Sequence, residues 1–358
     1  MIIKSLIFIN VFSVVIGILL IILERIIASY GEVTITMNED KEFRASGGQS
    51  LLRILFENKY FIPSACGGKG TCGYCKLVVK EGGGDVLPTE ALILSPAETR
   101  QGFRLSCQVK VRGDMKIEVP PEYLEIQEYE GEIVSTELVT SDIRKIRFQI
   151  TGDETIKFRP GQYVQIKLDN DGTTDYRAYS IASNPDDDNH IELNVKLIPE
   201  GLGSEYMHSL KEGDPVFFSG PYGDFFLDAD SGRRIICVAG GVGLAPIKSI
   251  VEYWKSHAMD REIEIYYGCR TRKDLYYHDV FEKMETENPN FHYYPALSEE
   301  DPEWKGARGF IHSLMEKHLG EGEHSEAYLC GPPIMIEAVM EVLKEKGVPE
   351  ERVLFDKF

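Results

Sequence analysis

Three cysteines inside ten residues, Cys66, Cys72 and Cys75, and a fourth at Cys107 constrain this chain more than any other feature. If all four serve one centre, the chain after Cys75 must fold back onto the loop that starts at Cys66. A Cys-x5-Cys-x2-Cys run with one distant partner is the ligand arrangement of a plant-type [2Fe–2S] cluster, except that the plant-type first gap holds four residues. The loop reads Cys66-Gly67-Gly68-Lys69-Gly70-Thr71-Cys72-Gly73-Tyr74-Cys75. Its glycines let the backbone wrap tightly and aim N–H groups at sulfur. The rival is a structural zinc site, which usually pairs two short Cys or His units. Here one Cys-x2-Cys has a lone partner, which favours the cluster. Cys237, Cys269 and Cys330 stand apart, and free thiols beside an iron–sulfur loop fit a reducing compartment.

A length of 358 residues leaves room for two or three domains with their own cores. The formal net charge of −19 argues against nucleic acid or anionic lipid headgroups as partners. From Leu6 to Leu23 the chain is uncharged and mostly apolar, broken only by Asn10, Ser13 and Gly17. That length suits a bilayer core, with Lys4 before it and Glu24-Arg25 after it. A cleaved signal peptide would have a shorter apolar run and a small-residue cleavage site, and only Ala28-Ser29 is nearby. The expectation is a retained transmembrane helix within residues 1–25.

Residues 31–122 read as a β-grasp ferredoxin domain of α+β class. Val33–Met37 alternates as a strand, Ser50–Phe56 has helical period, and Lys76–Val79 is a second strand. A further helical stretch is expected near Thr89–Thr99, and a strand over Arg104–Val109 that carries Cys107. Pro120-Pro121 punctuates a linker. Residues 129–229 show short alternating strands with one helix signal, Ser204–Leu210, which predicts an antiparallel β-barrel. From residue 230 to 358 buried strands alternate with helices, as in Ile235–Ala239 followed by a helix from Pro246. That pattern predicts an α/β domain with a parallel sheet.

In the barrel, Arg177-Ala178-Tyr179-Ser180 offers a guanidinium to a pyrophosphate, an aromatic face to a ring, and a hydroxyl to a ring nitrogen. Gly201-Leu202-Gly203-Ser204 opens a helix whose positive end can receive phosphate. Together these describe an FAD site, with Asn194, Val195 and Lys196 as further candidate contacts. In the last domain Gly240-Gly241-Val242-Gly243 and Pro246 follow a strand directly, so a nucleotide's phosphates can approach the backbone. Cys330-Gly331-Pro332 ends another buried strand. In open α/β sheets ligands bind at the carboxyl ends of strands, so both loops should face one crevice.

These three sets, in this order, resemble the ferredoxin–NADP reductase superfamily in the arrangement with an N-terminal [2Fe–2S] domain. Within it, the chain resembles the F subunits of the Na+-translocating NADH:quinone reductases. The residues that carry this are the apolar N-terminus, Ser64–Gly68 with its five-residue gap, Gly82–Glu90, Arg177–Ser180, Tyr267-Gly268-Cys269-Arg270 and Cys330–Pro333. The resemblance implies that Arg177, Tyr179 and Ser180 hold FAD, with Ser180 near the reactive ring nitrogen. It also implies Cys330 and Arg270 at the nicotinamide nucleotide and Phe358 over the flavin. A departure lies between Tyr163–Leu168 and Arg177, where only Asp169–Tyr176 intervenes and the F subunits carry a longer insertion.

NADH gives up two electrons as a hydride and a [2Fe–2S] cluster takes one, so FAD belongs between them. The expected function is NADH-oxidising electron input to the other subunits of a membrane respiratory complex that translocates ions and reduces ubiquinone. The soluble domains then face the cytoplasm from a single span in the inner membrane. The alternative is a reductase component that supplies an oxygenase. Ser298-Glu299-Glu300-Asp301 favours NADH over NADPH, since three acids repel a 2′-phosphate, while Arg270, Arg272 and Lys273 offer opposing charge nearby.

Overall fold

The computed structural model describes residues 10–19, 30–170 and 173–357. Residues 10–19 form a helix, α1. The rest of the expected anchor lies outside the described residues. Among the described residues no helix is long and apolar enough to cross a membrane. The chain divides into two compact units, Met1–Ile126 and Gln127–Phe358.

In the first unit β1 (Glu32–Met37) and β2 (Lys41–Ser46) form a hairpin. The alternation in β1 puts Val33, Ile35 and Met37 into the core. Helix α2 (Leu51–Glu57) starts at Ser50, whose hydroxyl accepts from the Arg53 N–H. It buries Leu51, Leu52, Ile54 and Leu55 in the same core. Then follow β3 (Lys76–Glu81), α3 (Pro88–Ala91), α4 (Pro96–Arg100), β4 (Phe103–Leu105), β5 (Met115–Glu118) and α5 (Pro121–Leu124). The sheet order is β2-β1-β5-β3-β4, with β1 and β5 parallel, as the β-grasp expectation requires.

Two local expectations change. The helical stretch near Thr89–Thr99 is two short helices, because Pro96 cannot continue a helix from α3 and instead opens α4. Ser95 and Glu98 cap that second start reciprocally. The strand expected through Val109 stops at Leu105, whose carbonyl accepts from the N–H groups of Gln108 and Val109 at 2.8 and 3.1 Å. Cys107 therefore sits in a turn.

In the second unit β6 (Gln127–Leu138), β7 (Ile143–Ile150), β8 (Tyr163–Asn170), β9 (Thr173–Ser180), β10 (His190–Lys196) and β11 (Pro215–Tyr222) pair antiparallel in the order β10-β7-β6-β11-β8-β9. A bridge between Ile181 and Leu193 brings the two ends of that order together as a barrel. Helix α6 (Leu202–Ser209) packs on it.

The remaining strands are β12 (Arg234–Gly240), β13 (Ile263–Cys269), β14 (Phe291–Leu297), β15 (Ala307–Arg308), β16 (Ser325–Gly331) and β17 (Val353–Lys357). They form a wholly parallel sheet, β15-β14-β13-β12-β16-β17, with α7 (Leu244–His257), α8 (His278–Glu287), α9 (Ile311–His318) and α10 (Pro333–Glu345) packed against it. Strand order reverses between β12 and β16, so the ligand crevice of such a sheet falls at their carboxyl ends. A 3-10 turn, Gly241–Gly243, leads straight into α7 two residues ahead of Pro246. On α7, Lys248 donates to the Ala182 carbonyl at 3.0 Å and Ser249 to the Ser183 carbonyl at 2.8 Å, tying sheet to barrel.

Candidate functional site

Gly67, Gly68, Gly70 and Gly73 all take left-handed backbone angles, between φ +61° and +81°, which lets the cysteine loop curl on itself. It brings the four thiols together in two pairs. Cys72 donates to the Cys66 sulfur, which also faces the N–H groups of Thr71 and Cys72. That hydrogen bond and those amides outweigh burial and pull Cys66 down to about 4. Cys75 donates to Cys107, so Cys107 is lowered and Cys75 raised, with burial adding to the rise. Among the described residues no three such side chains gather as around a single metal ion. Two thiol pairs in a wrap of backbone N–H groups fit the two irons of a [2Fe–2S] cluster better than one tetrahedral zinc.

Strand β9 carries Arg177, Ala178, Tyr179 and Ser180, all half-buried. The Arg177 guanidinium folds back on the Asp175 carboxylate, at 2.9 and 3.0 Å, and on the Tyr176 carbonyl. Gly203, near the start of α6, lies directly against this strand. A Cβ there would stand 2.6 Å from Arg177 Cγ and 2.7 Å from the Tyr179 hydroxyl. Arg177, Tyr179 and the turn from Gly201 are thus brought together. The Ser204 hydroxyl points inward, accepting from the Ile198 N–H at 3.0 Å, so what the turn presents outward is its backbone.

Strand β10 alternates. Ile191, Leu193 and Val195 enter the barrel core, and Glu192, Asn194 and Lys196 take the other face. Glu192 accepts from the Tyr277 hydroxyl at 2.7 Å. Beside it the Asn194 carboxamide is buried, and neither of its polar atoms makes a hydrogen bond. Such a group is costly to bury unpaired, so it fits the polar edge of a flavin or nicotinamide ring.

At the carboxyl ends of β12 and β16 lies a cavity of about 410 Å³. Of the residues expected from sequence, Lys196, Gly240, Gly241, Val242, Arg270 and Pro332 line it. Gly243, Pro246 and Cys330 are buried. A Cβ on Gly243 would run into the Cys330 carbonyl, so this glycine lets the turn close onto β16. Burial holds the Cys330 thiol well above its ordinary range. Phe358 lies outside the described residues.

Sequence reasoning missed Asp142, Phe310, Ile334 and Met335, which also line the cavity, as do Gly268 and Cys269 of the motif that ends at Arg270. Phe310 and Ile334 are largely exposed although apolar, and each stands at the start of a helix beside the crevice. Only Ile334 had a neighbouring signal, since it follows Cys330–Pro333 directly. Arg272, whose charge opposed the preference for NADH, is held by Glu303 at 2.6 Å and Asp301 at 3.5 Å.

Residues 35–112 match the 2Fe-2S iron-sulfur cluster binding domain family, 130–227 the oxidoreductase FAD-binding domain family and 237–341 the oxidoreductase NAD-binding domain family. The chain is 28% identical to the solved Amycolatopsis cytochrome P450 reductase GcoB, with a TM-score of 0.72 over 91% of this chain and 98% of that one. A ferredoxin reductase of carbazole 1,9a-dioxygenase gives a TM-score of 0.70 at 28% identity, over 92% and 98% of the two chains. The F subunit of Na(+)-translocating NADH-quinone reductase in Yersinia enterocolitica is 37% identical over 92% of each chain. The protein of that name from Neisseria meningitidis is 37% identical over 100% of this chain and 99% of its own. By identity across its whole length, the chain belongs to the family of Na(+)-translocating NADH-quinone reductase F subunits.

Proposed function

We propose that this chain is the electron-input subunit of a membrane-bound, Na+-translocating NADH:quinone reductase. It takes electrons from NADH through FAD to a [2Fe–2S] cluster and on to other subunits. When bound, FAD couples a two-electron hydride donor to a one-electron carrier. The chain's own residues bind and orient. Gly240–Gly243 admits the dinucleotide to the backbone, and Lys196 and Arg270 place positive charge on the cavity wall. Arg177, now paired with Asp175, would hold the flavin pyrophosphate, Tyr179 would offer a face to a ring, and the unpartnered Asn194 amide would meet a polar ring edge. The family resemblance would put Ser180 near the flavin's reactive nitrogen, Cys330 near the nicotinamide and Phe358 over the flavin. Cys66, Cys72, Cys75 and Cys107 hold the cluster.

Residues 31–122, 129–229 and 230–358 serve as the three cofactor domains. The apolar run Leu6–Leu23 supports a single-pass anchor within residues 1–25, and use of NADH places the soluble domains on the cytoplasmic side.

One observation carries this reading: the left-handed glycine loop with Cys66, Cys72 and Cys75 is closed by the turn that brings Cys107 against it, an arrangement that hydride exchange alone does not need. Anaerobic NADH added to the purified protein should bleach the flavin and develop the electron paramagnetic resonance signal of a reduced [2Fe–2S] centre. A cluster that stays oxidised beside reduced flavin contradicts it.

The likeness to reductases named for a cytochrome P450 and a dioxygenase favours a second reading, supply of an oxygenase. NADH-driven Na+ uptake in vesicles that depends on this chain decides for the first.

A further inference from the structure

Gln108 follows the last cysteine, and its side chain is held from several directions. Its Nε2 donates to the Gly68 carbonyl at 3.1 Å and lies 3.5 Å from Cys107 Sγ. Its Oε1 accepts from the Thr89 hydroxyl at 3.2 Å. A carbonyl can only accept, so Gly68 fixes which end of the amide faces the cysteine loop, and the second N–H is left for Cys107. Gly70 packs against the same side chain, where a Cβ would stand 2.8 Å from Gln108 Cδ. Thr89 belongs to α3, next to Glu90, which Arg104 anchors. Two segments distant in sequence, 66–75 and 82–90, therefore set the orientation of one amide.

We propose that Gln108 is a positioning residue that raises the reduction potential of the iron–sulfur centre through its N–H to Cys107 Sγ, with Thr89 holding the amide in place. The inference rests on the four cysteines carrying a cluster. One-electron reduction adds negative charge that spreads onto the ligating sulfurs. A donor aimed at one of them favours the reduced form more than the oxidised. Without the donor the potential falls. A merely structural Gln108 would alter cluster content or melting temperature and leave the potential of the remaining clusters where it was.

The test is a dye-mediated redox titration of the holoprotein, followed by electron paramagnetic resonance, with Gln108→Leu, Gln108→Lys and Thr89→Val beside the parent. Gln108→Leu should lower the midpoint, so that the reduced-to-oxidised ratio at the parent's midpoint falls about threefold or more, the worth of one hydrogen bond. Thr89→Val should shift it less in the same direction. Gln108→Lys keeps a donor and adds positive charge, so its midpoint should not fall. A Gln108→Leu protein with full cluster content and the parental midpoint overturns the proposal. If Gln108→Leu loses its cluster, Thr89→Val decides, and an unchanged midpoint there overturns it. A parent with no [2Fe–2S] signal would instead overturn the reading on which the proposal rests.

Discussion

Glu90 and Arg104 form a buried, two-pronged ion pair, with Arg104 Nε 2.9 Å from Oε1 and Nη2 2.6 Å from Oε2. The same guanidinium donates to the carbonyls of Gly83, Gly84 and Asp85 at 2.7, 2.9 and 2.9 Å. The carboxylate also accepts from the N–H groups of Leu87 and Leu105, both at 2.9 Å. The whole stretch from Gly82 to Glu90 is thereby wrapped around one side chain, three residues ahead of Cys107.

Glu90→Ala leaves Arg104 charged and unpaired in the interior, which should cost about 3–5 kcal/mol. Burial pushes the Glu90 carboxyl up, but Arg104 and the two N–H groups outweigh it, so it lies below its ordinary value. The pair's contribution is then present above the unfolded carboxylate value of about 4.3. It is lost as pH falls through the lower folded value. Urea unfolding of parent and variant at neutral and acid pH checks this. The gap between them should be large at neutral pH and shrink in acid.

Gly203→Ala should impair flavin binding, because the added methyl meets Arg177 and the Tyr179 hydroxyl at under 3 Å. Flavin content of the purified variant, against unchanged iron content, measures it. Full flavin occupancy would show that the Gly203 turn and β9 do not form the flavin cradle.

NADH should be preferred over NADPH by at least about tenfold in kcat/KM, or ~1.4 kcal/mol. Glu303→Gln with Asp301→Asn releases Arg272 from its pairing and should narrow that ratio. Steady-state kinetics with both donors reads it. Equal efficiencies in the parent would remove the acidic segment from the account of specificity.

Removal of residues 1–25 should give a protein that stays in solution with both cofactors and full NADH-to-dye activity. The cofactor motifs lie beyond residue 60. Loss of flavin or iron on truncation would show that the segment belongs to the fold and not to anchoring.

The order of domains was legible in the sequence because each cofactor demands residue types at fixed spacing. Cysteines must reach one centre, and glycines must stand where backbone and phosphate meet. Alternating faces exposed the barrel strands, whereas continuous apolar runs followed by helices exposed the parallel sheet, whose strands are buried on both faces. What was hidden depends on contacts across the chain. The turn at Cys107 is set by carbonyl sharing at Leu105. The Glu90–Arg104 pair joins residues no pattern relates. Phe310 and Ile334 reach the cavity only because α9 and α10 begin beside the crevice. The neutralisation of Arg272 likewise needs Asp301 and Glu303 folded back on it.

The division of labour between the cofactor sites is tested most directly by Cys72→Ala, which removes one thiol of the Cys66–Cys72 pair. With NADH under anaerobic conditions, the variant should bleach its flavin and reduce a dye at the parental rate. It should show no [2Fe–2S] electron paramagnetic resonance signal and pass no electrons to quinone in the assembled complex. A folded, flavin-loaded variant that has lost NADH-to-dye activity, or one that still reduces quinone at the parental rate, contradicts the account.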